Sequence, residues 1–163
     1  MKKFFALIFI FILSSQAYAL ELPEKIYEWY LTGGYVQPLN LEATSEDLGR
    51  VIYKTYKRDA PKGTLEIILT EGTGTGSLYV PDEVKKSKGL MPASEYKIFE
   101  VNGKKAILEN QSYLPLALAV CVNDDVVLTI ESTSLNQDEL IKIAEEILSS
   151  WNFIKDQEQG SNS

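Results

Sequence analysis

The chain has 163 residues, 45% of them hydrophobic, with 16 basic against 23 acidic side chains, one cysteine and no histidine. A length of that order suits a single domain able to bury roughly 68–70% of its unfolded surface, so neither a disulfide framework nor a metal clip is required. The missing histidine excludes Ser-His-Asp triads, Cys-His pairs, histidine zinc sites and imidazole proton shuttles, and the lone Cys121 cannot form a bridge within the chain.

Residues 1–19 read as a secretory signal. Lys2 and Lys3 form a charged start, Phe4 to Leu13 is an unbroken apolar run, and Ala17-Tyr18-Ala19 places small residues where a signal peptidase needs them. That apolar run is shorter than the about 17–25 residues that cross a bilayer, although an uncleaved anchor is the competing reading. No cysteine follows Ala19, so the bacterial lipid-anchored route is closed. A mature, soluble, extracytoplasmic chain is expected from Leu20. The most apolar later stretch, Leu114 to Val122, is short and holds Pro115, so no stable membrane insertion is expected after cleavage.

Two lysines leave with residues 1–19, which moves the net charge from −7 to −9. A balance so acidic argues against nucleic acid as a partner. Residues 50–105 nevertheless carry net +4, the one segment suited to an anionic partner.

Along the mature chain, Leu22, Ile26, Trp29 and Tyr30 have the spacing of one helix face, so a helix is predicted over Leu22 to Leu31, ended by Gly33-Gly34. From Tyr35 the period becomes two. Strands are predicted at Arg50 to Arg58, Thr64 to Thr70 and Ser77 to Val80, then a short helix in Pro81 to Gly89 and a loop over Leu90 to Ser94. Asn102-Gly103 predicts a two-residue hairpin pairing Val101 with Lys104, Glu100 with Lys105, Phe99 with Ala106 and Ile98 with Ile107. A second hairpin joins Leu116 to Val122 with Val126 to Glu131, its turn at Asn123-Asp124 or, one residue on, Asp124-Asp125. The first choice puts Ala117, Ala119 and Cys121 beside Val126, Leu128 and Ile130, a row of small residues on which a helix could sit closely. Every position of Leu116 to Val122 is apolar, which predicts a strand covered on both faces. The last helix has Asn136 and Glu139 as a capping box, Leu135 with Leu140 as a staple, and an apolar stripe of Leu140, Ala144, Ile147, Leu148 and Trp151. A frayed, flexible tail is expected over 155–163.

The expected fold class is α+β: one domain over 20–154, with an antiparallel sheet of about six to seven strands and terminal helices packed on it. Few motifs carry chemistry. Glu71-Gly72-Thr73-Gly74-Thr75-Gly76-Ser77 resembles a phosphate cradle but leads into a predicted strand rather than a helix, so it reads as a flexible hairpin tip. Cys121 reads as a small core residue, and the adjacent acids Asp124-Asp125 and Glu145-Glu146 diverge. Trp29 and Tyr30 read as core. Tyr27 lies off their stripe and, with Lys85, Lys86 and Lys88, is the candidate partner-binding set; that basic run, with Lys54, Lys57 and Arg58, suits an acidic partner or lipid headgroups, and a merely solvated face is the competing and stronger reading.

The stretch from Tyr96 through Val101-Asn102-Gly103-Lys104-Lys105-Ala106, the hairpin around Asn123-Asp124 and the run from Leu135 to Ala144 resemble a domain of unknown function found in exported and lipid-anchored prokaryotic proteins. The resemblance spans residues 64–151 and implies kinship in shape with PsbP-like and RseB-like folds, and an accessory or sensing role outside the cytoplasm. Together these readings give an exported, soluble, non-catalytic binding or accessory domain with no cofactor and no metal, whose partner is a protein or envelope component. A carrier of a small apolar ligand and a carboxylate-based hydrolase are the alternatives.

Overall fold

Period-two alternation over two stretches of the chain gives strands that can each bury one side, and turn chemistry decides which strands meet. In the computed structural model, residues 20–38, 49–83, 95–111 and 113–160 are described, with side chains as far as Trp151. The strands are β1 (Lys25–Ile26), β2 (Trp29–Pro38), β3 (Gly49–Arg58), β4 (Gly63–Gly72), β5 (Glu95–Val101), β6 (Lys104–Asn110), β7 (Leu116–Asn123) and β8 (Val126–Ser132). A short helix, α1 (Thr75–Tyr79), follows β4, and a long one, α2 (Gln137–Gly160), closes the chain.

All eight strands form one antiparallel sheet in the order β1-β2-β3-β4-β8-β7-β6-β5, two meanders joined through β4 and β8. The α+β class holds, with eight strands among the described residues rather than six or seven. The Asn102-Gly103 hairpin has the predicted register, from Val101 opposite Lys104 to Ile98 opposite Ile107. Both turn residues take positive φ, 49° and 69°, as a type I′ turn demands.

The expected amino-terminal helix is absent. Residues 25–30 form a hairpin in which Ile26 faces Trp29, and Tyr27 turns the chain at φ 50°. Two long-range bonds hold this segment against helix formation: the Tyr56 hydroxyl donates to the Pro23 carbonyl at 2.6 Å and the Trp151 indole to the Glu21 carbonyl at 2.8 Å. Gly33-Gly34 sits inside β2 at a register shift, not at a helix end. Gly34 is required there because a Cβ would lie 2.3 Å from the Tyr53 carbonyl oxygen of β3.

The β7–β8 turn is Asp124-Asp125, the second of the two predicted registers, with Asn123 opposite Val126. Asn123 Oδ1 accepts from the Asp125 amide at 2.9 Å, which closes the turn one residue later. A register shift between Cys121 and Asn123 then turns Ala117, Ala119 and Cys121 toward the side of Glu131, Thr129 and Val127. Helix α2 therefore packs not on the small residues but on the opposite face, where Leu118, Val120, Leu128 and Ile130 meet Leu140, Ala144, Ile147 and Leu148. Its capping box forms as predicted: Asn136 Oδ1 accepts from the Glu139 amide at 3.0 Å and Glu139 Oε2 from the Asn136 amide at 2.9 Å. Leu135 and Leu140 are both in the core.

Candidate functional site

One face of the sheet packs on α2. The other carries, among the described residues, only α1, over one end of β4, β7 and β8. Across this open face, cross-strand partners line up in a single row from β2 to β5: Tyr35, Tyr53, Ile68, Thr129, Ala119, Ile107 and Ile98. Tyr35 is 59% exposed at one end and Ile98 40% at the other. The Tyr35 and Tyr53 rings stack at 4.5 Å with 17° between their planes.

The neighbouring row carries Thr55, Glu66, Glu131, Ala117, Glu109 and Tyr96. Glu66 stands directly opposite Glu131, a like-charge pair that costs stability in a sheet. Burial pushes the Glu131 carboxyl above its ordinary range, and Glu66 and Glu109 add to the rise. Glu109 is held at the far end, where Oε1 accepts from the Tyr96 hydroxyl at 2.7 Å and from the Gln111 amide. The face thus presents an apolar line beside an acidic one. Sequence reasoning missed the acids because Glu66 and Glu131 meet only through the β4–β8 pairing; the period-two placement of Glu66 in β4 was the one local signal.

At the end covered by α1, the glycine-rich run is not a free hairpin tip. Its amides are already engaged by the β7–β8 turn: Gly72 N–H donates to the Asp125 carbonyl at 2.8 Å, Gly76 N–H to the Asp124 carbonyl at 2.9 Å, and Gly74 N–H to Asp125 Oδ1 at 2.9 Å. Gly74 takes φ 73° to start α1, which replaces the strand expected over Ser77 to Val80. Gly76 is needed for the close approach, since a Cβ would stand 2.7 Å from the Asn123 carbonyl and 2.9 Å from Cys121 Sγ. A carboxylate at this position and amides with partners leave little for a phosphate to bind. Beside α1 lies a groove of about 710 Å³ with Cys121 in its wall, where the Lys105 ammonium pairs with Asp82 and draws its carboxyl below the ordinary value. Cys121 is half-buried, and Sγ contacts the Asn123 carbonyl at 3.3 Å. It packs under α1, not under the long helix.

Lys85, Lys86 and Lys88, the expected helix beyond Glu83 and the expected loop over Leu90 to Ser94 lie outside the described residues. Tyr27 is exposed on the β1–β2 turn, with burial and the nearby Glu146 and Glu145 raising its pKa. Trp29 is core as predicted, but Tyr30 is exposed, because a strand sends neighbours to opposite faces. Lys25 lies over the Tyr30 ring at 4.8 Å. Arg58 is not part of a solvated face: its guanidinium lies on the Trp29 ring, 4.5 Å from the centroid. Among the described residues, no cluster of three or more Cys, Asp or Glu could hold a metal ion, and no helix is long and apolar enough to cross a membrane.

The family described as a domain of unknown function (DUF4367) matches residues 30–147. No curated protein and no solved structure matches the chain.

Proposed function

Since the chain belongs to DUF4367, a family of domains of unknown function, we propose a role from its geometry: an exported, non-catalytic binding domain. Its open sheet face takes a cationic, partly apolar segment of a partner protein or envelope component. The observation that carries this reading is the pair of adjacent rows, one apolar and one acidic, with Glu66 and Glu131 opposed and no cation between them among the described residues. A sheet face meant only for water alternates polar side chains on its outer side. Here the outer side offers Tyr35, Tyr53, Ile68, Ala119 and Ile98, with Ile107 of the same row buried in a cluster with Val80 and Val127, and the acids beside them select for positive charge. Export rests on the Lys2-Lys3 start, the apolar run and Ala17-Tyr18-Ala19. Kinship in shape with PsbP-like and RseB-like folds belongs to the same proposal and rests on the sequence resemblance over residues 64–151 alone.

Site-specific photocrosslinking in the envelope fraction tests the reading. Crosslinkers at Tyr35 and Ile98 should trap one defined partner, and trapping should fall with salt and in a Glu66→Gln/Glu109→Gln variant. A crosslinker at Asp138, exposed at the start of α2, is the control. Adducts from Asp138 with none from the open face would refute the assignment. So would turnover in a hydrolase screen that is lost in Glu131→Gln. Intact-mass analysis of the same fraction should give a chain beginning at Leu20.

A further inference from the structure

On the helix side of the sheet, away from the open face, a pocket of about 280 Å³ lies between the β1–β2 turn and the first turns of α2. Its floor is Trp29 and Arg58. The Arg58 side chain is only 8% exposed, and its Nε–H is buried with no hydrogen-bond partner. Among the described residues one carboxylate reaches it: Glu28 Oε1 accepts from Nη1 at 3.1 Å, and the Glu28 side chain is 56% exposed. A guanidinium carries five donors, and desolvating it is costly unless anions or carbonyls answer them. This one has been taken out of water and given a single, solvent-facing partner.

The rest of the pocket supplies what a ligand would add. Gly63 makes room for the stack, because a Cβ there would stand 3.0 Å from the Trp29 ring and 2.8 Å from Ser134 Oγ. Leu135 and Ile143, both buried, form an apolar wall. Lys142, exposed on the same helix, brings a second cation to the rim. Glu139 also lines the pocket, but its Oε2 is engaged by the Asn136 amide. Tyr27 closes the other side from a backbone conformation, φ 50°, that a non-glycine residue seldom adopts.

We infer that this pocket binds a carboxylate on a small apolar stem, with the carboxylate between Arg58 and Lys142 in place of Glu28 and the stem against Trp29, Leu135 and Ile143. Glu28 then acts as an internal competitor that occupies Arg58 until the ligand arrives. This chemistry is shared by free short-chain organic acids and by the free carboxyl terminus of a peptide ending in an apolar residue.

Two indole N–H signals, from Trp29 and Trp151, provide an internal reporter and control in ¹⁵N NMR of the processed chain. Titration with 4-methylpentanoate, and with a tripeptide ending in leucine, should shift the Trp29 signal saturably and leave that of Trp151 in place. The amidated tripeptide and the matching alcohol should do nothing. A tripeptide binding more tightly than the free acid identifies a peptide terminus as the source, and equal or weaker binding identifies the small acid. Arg58→Lys should weaken binding about tenfold or more, since it loses the planar fork. Lys142→Gln should weaken it about threefold, as befits an exposed charge. Glu28→Gln should tighten it by a similar factor, a sign that a purely structural Arg58–Glu28 pair would not produce. If Arg58→Lys fails to fold, the two exposed-residue variants still decide. No Trp29 shift at millimolar acid, an equal shift with the alcohol, or unchanged affinity in Glu28→Gln overturns the inference.

Discussion

Glu131→Gln should stabilise the protein at neutral pH while removing part of the proposed binding surface. Glu131 stands across the β4–β8 ladder from Glu66, with Glu109 two strands away in the same row. Directly opposed Cβ atoms are about 5 Å apart, at which two unit charges repel by roughly 0.8 kcal/mol in water, about half that after physiological screening, and more where solvent is displaced. Glu131 is half-buried, so the gain from neutralising it is expected at about 0.5–1 kcal/mol, within the range of measured cross-strand pairs. For a chain of this size that raises Tm by roughly 1–4 °C. The sign with pH follows from the raised carboxyl. Its folded pKa exceeds the ordinary value of 4.5, so the folded state binds the proton more tightly and the native protein loses stability as pH rises from about 4.5 through the folded pKa. The advantage of Glu131→Gln is therefore full at pH 7 and vanishes near pH 3, where the wild-type residue is already neutral. Urea denaturation of both proteins at the two pH values measures it. A variant no more stable than wild type at pH 7, or equally favoured at pH 3, would refute the like-charge reading of this row.

Leu118→Asp or Val120→Asp should leave the chain unfolded by circular dichroism at 25 °C, because both side chains are fully buried under α2 and an unpaired carboxylate there costs several kcal/mol of a total of about 5–15 kcal/mol. Normal melting of either variant would mean the sheet order is wrong. Asn136→Ala removes one half of the capping box and should lower stability by about 0.5–2 kcal/mol, read as a lower urea midpoint at unchanged m-value.

Features encoded by neighbouring residues were legible in the sequence. Asn102-Gly103 specifies its own turn by backbone preference, and Asn136 with Glu139 specifies a helix start by two reciprocal bonds, so neither depends on the rest of the fold. The first segment misled because a spacing of three serves two structures. Ile26 and Trp29 are neighbours on a helix face, but they are also the residues that flank a two-residue hairpin turn, and the bonds that choose the hairpin come from Tyr56 and Trp151, far along the chain. Ser77 to Val80 has strand-forming composition, and a turn formed by Asp124 and Asp125 overrides it. The acidic row and the Arg58 pocket were not legible for the same reason. Each is assembled by contacts between segments distant in the chain, and beyond the period-two placement of Glu66 nothing in the local pattern around Glu66, Glu131 or Arg58 announces a neighbour.

Among the described residues one face of the sheet is left largely open, and its composition is informative. Eight strands about 4.8 Å apart span roughly 34 Å, whereas one helix with its side chains is about 10–12 Å wide, so α2 can cover only part of one face. Residues two apart along a strand point to the same side about 7 Å from each other, which sets the spacing between the apolar row through Ile68 and Ala119 and the acidic row through Glu66 and Glu131. Both rows run across the strands. A strand added at the sheet edge would run along them and meet at most one residue of each row. A helix lying across the strands, with an apolar stripe and lysines or arginines on one flank, would meet both rows over its length, because its width of about 10–12 Å spans their separation of about 7 Å. On the proposed binding role the open face therefore suits an amphipathic basic helix better than an added strand, and the photocrosslinks from Tyr35 and Ile98, at opposite ends of the row, should fall on residues of the partner several helical turns apart.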